Sequence, residues 1–355
     1  MTTCWSSSTT RSANAAAWSS RRATSRPSGR SPWRNRPWPG TRSVNDVAGE
    51  GRVRSVRRHH LEKPAWLKAP GKGGDAYQEV KSLLRTAGLN TICESGDCPN
   101  RGECFANRTA TFMIMGDVCS RKCTFCNVKT GPAAALEPGE PRRVAEAVRH
   151  LGLRFAVVTS VNRDEHPDGG SAHFAATIRW IRRLNPGCGV EVLTPDFLGR
   201  PMQLHKVLAA APDVFAHNLE TVPRLDPGVR PQADHRRSLS VLRAARQWSD
   251  ARHPAGGARM KVKTGLMVGL GETADEVLDV LRSCRDRGVD IVTIGQYLQP
   301  TPRHHEVVRF CRPEEFEAFA RAGREMGLPW VESGPLVRSS YHASEQSAVG
   351  EGTRD

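Results

Sequence analysis

The 355-residue chain carries 52 Lys+Arg against 37 Asp+Glu, and its length suits one α/β barrel of roughly 200 to 250 residues with extensions. Its net charge of +15 raises a polyanionic or acidic partner, but the first 45 residues, with eight Arg and no acid, supply +8 of it. Nucleic-acid binding thereby loses most of its support. No apolar run reaches the roughly 18 residues that suggest a bilayer span, so no membrane association is expected.

The chain order starts with residues 1–55, rich in Ser, Arg, Pro, Gly and Trp and without a period, which predict a disordered extension. No secretory apolar core is present, so the ten cysteines are expected as thiols in a reducing compartment, cytoplasmic by default. An Arg- and Ser-rich start is the alternative, a mitochondrial or plastid transit peptide, although Pro-Trp-Arg-Asn-Arg-Pro-Trp-Pro at 32–39 would interrupt its amphipathic helix. Residues 56–110 are expected to form an N-terminal extension, 111–330 the barrel and 331–355 a C-terminal tail.

From about residue 140, apolar runs alternate with amphipathic stretches. The strand candidates are 155–161, 190–193, 214–219, 260–268 and 291–298. Helices are predicted over 274–287, where Thr273 and Glu276 form a capping box, and over 313–326, which opens with Pro, Glu, Glu. Alternating strands and helices imply parallel βαβ units, here in an incomplete barrel. Chemistry in such barrels gathers at the C-terminal strand ends. Four polar clusters fall there: Thr159 to Asp164, Thr194 to Asp196, His217 to Glu220 and Gln296 to Gln299.

Six cysteines lie between 93 and 126. Cys119, Cys123 and Cys126 supply three thiolates, enough for three irons of a 4Fe–4S cluster, and leave one iron open to chelate S-adenosylmethionine. Cys93, Cys98 and Cys104 form a second triad. A closed zinc site from Cys93, Cys98, Cys119 and Cys123 is the competing arrangement; it would strand Cys104 and Cys126. Cys4, Cys188, Cys284 and Cys311 read as packing residues. Gly269-Leu-Gly271-Glu-Thr-Ala274 superficially matches a dinucleotide-binding fingerprint, but lies late in a series of βα units and reads as a tight turn.

Together these motifs resemble a known family. Cys119 to Cys126 is similar to the CX3CX2C signature of radical S-adenosylmethionine enzymes, and Cys93, Cys98 and Cys104 resemble the CX4CX5C auxiliary-cluster motif of lipoyl synthases. The resemblance runs from about Leu61 to Ala343 and includes Arg338-Ser339-Ser340-Tyr341. It implies a partial (β/α)6 TIM-like barrel of the radical type, two 4Fe–4S clusters and S-adenosylmethionine. It also implies that Ser340, rather than Ser339, completes the auxiliary cluster. Thr159, Ser160, Asn162, Asn218 and Glu220 would then bind the ribose and methionine portions, with Phe125 against the adenine. A biotin synthase-like enzyme is the nearest rival.

The implied reaction inserts sulfur at carbons 6 and 8 of a protein-bound octanoyl chain. A deoxyadenosyl radical removes each hydrogen, and the auxiliary cluster supplies each sulfur. Implied partners are octanoylated lipoyl carrier domains (2-oxoacid dehydrogenase E2 subunits and glycine cleavage H protein), an electron donor such as ferredoxin or flavodoxin, and an iron–sulfur carrier. The chain departs from the family pattern at Phe105 (usually Trp), Arg108 (usually Gly), Ala216 (usually Asn) and Asp226 (usually aromatic).

Overall fold

The computed structural model describes residues 61–68, 71, 73–253 and 259–347; the expected disordered extension lies outside them. In chain order the elements are α1 (Asp75–Thr86), β1 (Asn90–Thr91), α2 (Ile92–Ser95), α3 (Arg101–Ala106), β2 (Thr111–Ile114), β3 (Val118–Cys119), β4 (Lys129–Thr130), α4 (Glu140–His150), β5 (Phe155–Ser160) and α5 (Ser171–Leu184). There follow β6 (Gly189–Leu193), α6 (Pro201–Ala209), β7 (Val214–Ala216), α7 (Asp226–Val229), α8 (His235–Arg252), β8 (Lys261–Val268), α9 (Ala274–Arg285), β9 (Ile291–Gln296), α10 (Pro313–Glu325), β10 (Trp330–Gly334) and α11 (Ala343–Ser347).

The main sheet runs β1-β2-β5-β6-β7-β8-β9-β10. Only β1 is antiparallel to its neighbour; the other ladders are parallel. Among the described residues β10 does not pair back onto β1, so the barrel stays open. The six strands β2 to β9 of this sheet are the expected incomplete barrel. Strand β10 adds a seventh parallel member. Its Trp-Val-Glu-Ser-Gly sequence buries only Val331 fully, the weak signature of an edge strand. Strand β7 is shorter than the apolar run 214–219: its ladder ends at Ala216 and the chain reaches φ 63 at Glu220.

The helix ends follow local chemistry. Thr273 and Glu276 form the predicted capping box on α9, and the Glu315 carboxylate accepts from the Arg312 amide at 2.8 Å at the start of α10. Side chains alternate faces along a strand, so Lys263 shares the inward face of β8 with Gly265, beneath the cavity described below. Its Nζ lies 3.0 Å from both carboxylate oxygens of Glu191, and both residues are fully buried. Removing one member of such a pair strands a buried charge. Lys263→Met is expected to cost about 3–5 kcal/mol in urea unfolding, and Glu191→Leu added to it should restore most of the loss. A double variant no more stable than Lys263→Met would contradict the pairing.

Candidate active site

A cavity of about 360 Å³ opens at the C-terminal ends of the strands, within the range of small-molecule sites. Cys93, Cys98, Cys119, Cys123 and Cys126 all line it; Cys104 lies outside its lining.

The first group is carried by two short helices. Thr91 Oγ1 caps α2 by accepting from the Glu94 amide at 3.3 Å, which places Cys93 in its only turn. The Cys98 amide donates back to the Cys93 carbonyl at 3.1 Å, and the Cys104 amide, in α3, to the Asn100 carbonyl at 2.9 Å. Phe105 is completely buried against Tyr77, with ring centroids 5.4 Å apart. The segment ends at Arg108, whose φ of 52° is the left-handed region that favours the family's glycine; its Nε donates to Glu79 at 2.9 Å. Two bonds stitch this extension to the C-terminal tail: Asn100 Nδ2 to the Leu336 carbonyl at 2.7 Å and Tyr341 OH to Glu103 at 3.2 Å.

The second group sits in the loop between β3 and β4, whose short parallel pairing holds both ends. Backbone bonds dock this loop on the barrel: Ser120 to Asn162, Thr124 to Val229, and His305 to Thr124. The His304 ring donates to the Cys126 carbonyl at 3.0 Å. Cys119 Sγ accepts from the Asn162 and Arg121 amides at 3.3 and 3.4 Å. Arg121, buried within the motif, forks onto Asp164 at 2.6 and 2.9 Å and reaches Asp196 at 2.5 Å. Burial alone would raise the Asp196 pKa, but Arg121 and Arg237 outweigh it and hold the carboxyl well below its usual range.

Burial pushes the thiols up: Cys93 and Cys126 to about 11, Cys104 and Cys123 to about 12. Thiols of the same triad raise each of them further. Among the described residues no three His, Cys, Asp or Glu gather around one point as a single ion requires. In a 4Fe–4S cluster each thiolate takes its own iron, so its ligands stand farther apart. The described cysteines are all free, and Cys188, Cys284 and Cys311 are buried away from the cavity; Cys4 lies outside the described residues.

All six predicted cofactor contacts, Thr159, Ser160, Asn162, Asn218, Glu220 and Phe125, line the cavity. Ser160 Oγ, Asn162 Oδ1 and Asn218 Oδ1 are buried without hydrogen-bond partners. A polar ligand would satisfy them, so the residues fit S-adenosylmethionine. Thr159 instead donates its hydroxyl to the Leu193 carbonyl at 3.1 Å. Burial raises the Glu220 pKa against the opposing pull of Arg230 and Asn218. Phe125 packs on the apolar group Val229, Leu270 and Tyr297. Arg230 is forked onto Asp226 at 2.9 and 3.0 Å and donates to the Asn218 carbonyl oxygen at 3.2 Å; the unusual Asp226 is thus its buried counter-charge.

His217, noted in sequence only within a polar cluster, also faces the cavity. Its Nδ1 donates to the Thr194 carbonyl at 2.9 Å, which leaves Nε2 an unpartnered acceptor. Burial drives its pKa from 6.5 down to about 4, helped by Arg230 and Arg121 against Thr194 and Asp196. Between those values the unfolded chain binds the proton and the folded chain does not, so stability falls as pH drops, by about 3 kcal/mol in all. His217→Gln should flatten this part of a stability-versus-pH curve. A Gln variant with unchanged acid sensitivity would contradict the assignment.

The two serines of the tail face different halves. Ser340 Oγ accepts from Thr111 Oγ1 at 2.8 Å, and Thr111 lies close enough to Cys93 to lower its thiol pKa against burial. Ser339 Oγ accepts from Asn218 Nδ2 at 2.7 Å. The turn after β8 binds itself: the Gly269 and Leu270 amides donate to the Glu272 carboxylate at 2.6 and 2.9 Å. Those donors are unavailable to a phosphate, as expected for a tight turn. The sequence does not single out Arg121 or Arg230 as site residues, and Ser339 enters there only as the serine passed over for Ser340. Arg121 lies inside the CX3CX2C motif and Ser339 beside Ser340, which are their only sequence signals.

Residues 113–284 match the Radical SAM superfamily. The chain is 55% identical over 285 residues to the lipoyl synthase of Rubrobacter xylanophilus, covering 80% of this chain and 86% of that protein. It is 50% identical over 303 residues to the lipoyl synthase of Mycobacterium tuberculosis, covering 84% and 94%. The crystal structure of Streptococcus suis SuiB bound to S-adenosylmethionine superposes with a TM-score of 0.50 at 10% identity, over 74% of this chain and 58% of that one, and shows the shared fold. With both cysteine motifs opening on one cavity of a partial barrel, the chain belongs to the lipoyl synthase family of radical S-adenosylmethionine enzymes.

Proposed function

We propose that Cys119, Cys123 and Cys126 hold the 4Fe–4S cluster that engages S-adenosylmethionine, and that Cys93, Cys98, Cys104 and Ser340 hold a second that gives up its sulfur. The observation that carries this is the meeting of five of the six motif thiols and the Ser340 hydroxyl around one cavity, with the sixth, Cys104, close to Cys93 and Cys98. When bound, the clusters and S-adenosylmethionine supply the one-electron chemistry and the sulfur that convert a protein-bound octanoyl chain to the lipoyl group.

The protein's own contribution is orientation and enclosure. Three thiols in the Cys119–Cys126 loop leave one iron free for the amino and carboxylate groups of the cofactor. The Arg121–Asp164–Asp196 network fixes that loop. Ser160, Asn162 and Asn218 offer polar atoms to the cofactor, and Phe125 gives an apolar wall for its adenine. An unactivated C–H bond offers little to general acids or bases, and the charged residues Arg121, Asp196 and Arg230 that line this cavity are held in buried ion pairs. Ser340 is a harder, more easily displaced ligand than a thiolate, which suits a cluster that must come apart.

The substrate is presented by a carrier. We assign E2-type lipoyl domains and an H-type protein to this role, since the net +7 beyond residue 45 complements an acidic carrier. Ferredoxin or flavodoxin would supply electrons, and an iron–sulfur carrier would rebuild the spent cluster. Anaerobic reconstitution should yield about eight irons per chain, four per cluster. One zinc and no iron would overturn the reading.

A further inference from the structure

We infer that Ser339 is a positioning residue that fixes the side-chain amide of Asn218 so that its oxygen is presented to S-adenosylmethionine. The inference rests on the cofactor reading above and deepens it. Asn218 Nδ2 has two hydrogens, and both are committed: one to Ser339 Oγ at 2.7 Å, the other to Glu220 Oε1 at 3.0 Å. Oδ1 is left buried and without a partner beside the cavity. A buried acceptor in that state costs stability until a donor arrives, and the hydroxyls and ammonium of S-adenosylmethionine are donors.

A second observation concerns the adjoining strand β8. A Cβ on Gly265 would lie 2.8 Å from Ser339 Oγ, 2.9 Å from Asn218 Oδ1 and 2.9 Å from Thr293 Oγ1. Three polar side chains thus converge on a strand position that only glycine leaves open. Ser339 directly precedes Ser340, whose hydroxyl sits with Thr111 and the Cys93 side of the cavity. Adjacent tail residues therefore serve the two halves separately: Ser340 the auxiliary cluster, Ser339 the cofactor pocket.

Equilibrium dialysis of labelled S-adenosylmethionine against the reconstituted, unreduced enzyme tests this without turnover. Ser339→Ala should weaken binding by about 3- to 10-fold, the scale of one net hydrogen bond, with iron content unchanged. Asn218→Ala should weaken it at least as much, and the double variant should bind no worse than Asn218→Ala alone, because Ser339 acts only through Asn218. Gly265→Ala, which crowds the same atoms, should show the same defect at full iron content. In turnover, Ser339→Ala should raise KM for S-adenosylmethionine with kcat little changed. Unchanged affinity in Ser339→Ala, additive losses in the double variant, or loss of iron from Ser339→Ala would each overturn the inference. Wild-type enzyme that carries both clusters yet fails to bind S-adenosylmethionine would instead overturn the cofactor reading itself.

Discussion

Replacing Cys119, Cys123 and Cys126 together with Ala is expected to abolish S-adenosylmethionine cleavage and to lower bound iron from about eight to about four per chain. The nearby carboxylates Asp164 and Asp196 are tied to Arg121 and so are poor substitute ligands. The fold should survive, because the loop is held by β3, β4 and backbone bonds to Asn162, Val229 and His305 rather than by the thiols. Iron analysis and deoxyadenosine release check both halves of the expectation. A variant that keeps eight irons would show that these thiols are not ligands.

The second large effect separates cleavage from sulfur insertion. Ser340→Ala should leave S-adenosylmethionine cleavage within a few-fold of normal, since Ser340 sits with Thr111 on the Cys93 side. Lipoyl product should fall by about 100-fold or more, a loss on the scale seen when even residues one step removed from a metal are changed. Quantifying deoxyadenosine and lipoyl product in the same reaction checks this. Normal product from Ser340→Ala, with product lost from Ser339→Ala, would exchange the roles assigned to the two serines.

Much of this architecture is written locally. The valine-rich runs of β5 and β8, buried on both faces, and the Thr273 capping box of α9 are visible because their chemistry is contained within a few consecutive residues. The cysteine triads are visible for the same reason, and the resemblance joined them to a tail more than 200 residues away, whose bonds run from Asn100 to Leu336 and from Tyr341 to Glu103. What escaped is what depends on tertiary contact alone. Strand β10 has no apolar pattern because it lies at the sheet edge. The committed amide of Asn218 and the lone pair of His217 are set by Ser339 and Thr194, residues distant in sequence, Thr194 just past the end of β6. Arg230 and Asp226 are four residues apart, yet their burial, with Arg230 bonded to the Asn218 carbonyl, follows only from tertiary packing.

The most direct measurement is anaerobic incubation of the reconstituted enzyme with an octanoyl-lysine carrier peptide, S-adenosylmethionine and a reductant, followed by mass analysis of the peptide. The account predicts two sulfur atoms gained per octanoyl group, with two S-adenosylmethionine cleaved. A peptide returned without sulfur by enzyme that carries both clusters and cleaves S-adenosylmethionine would contradict it.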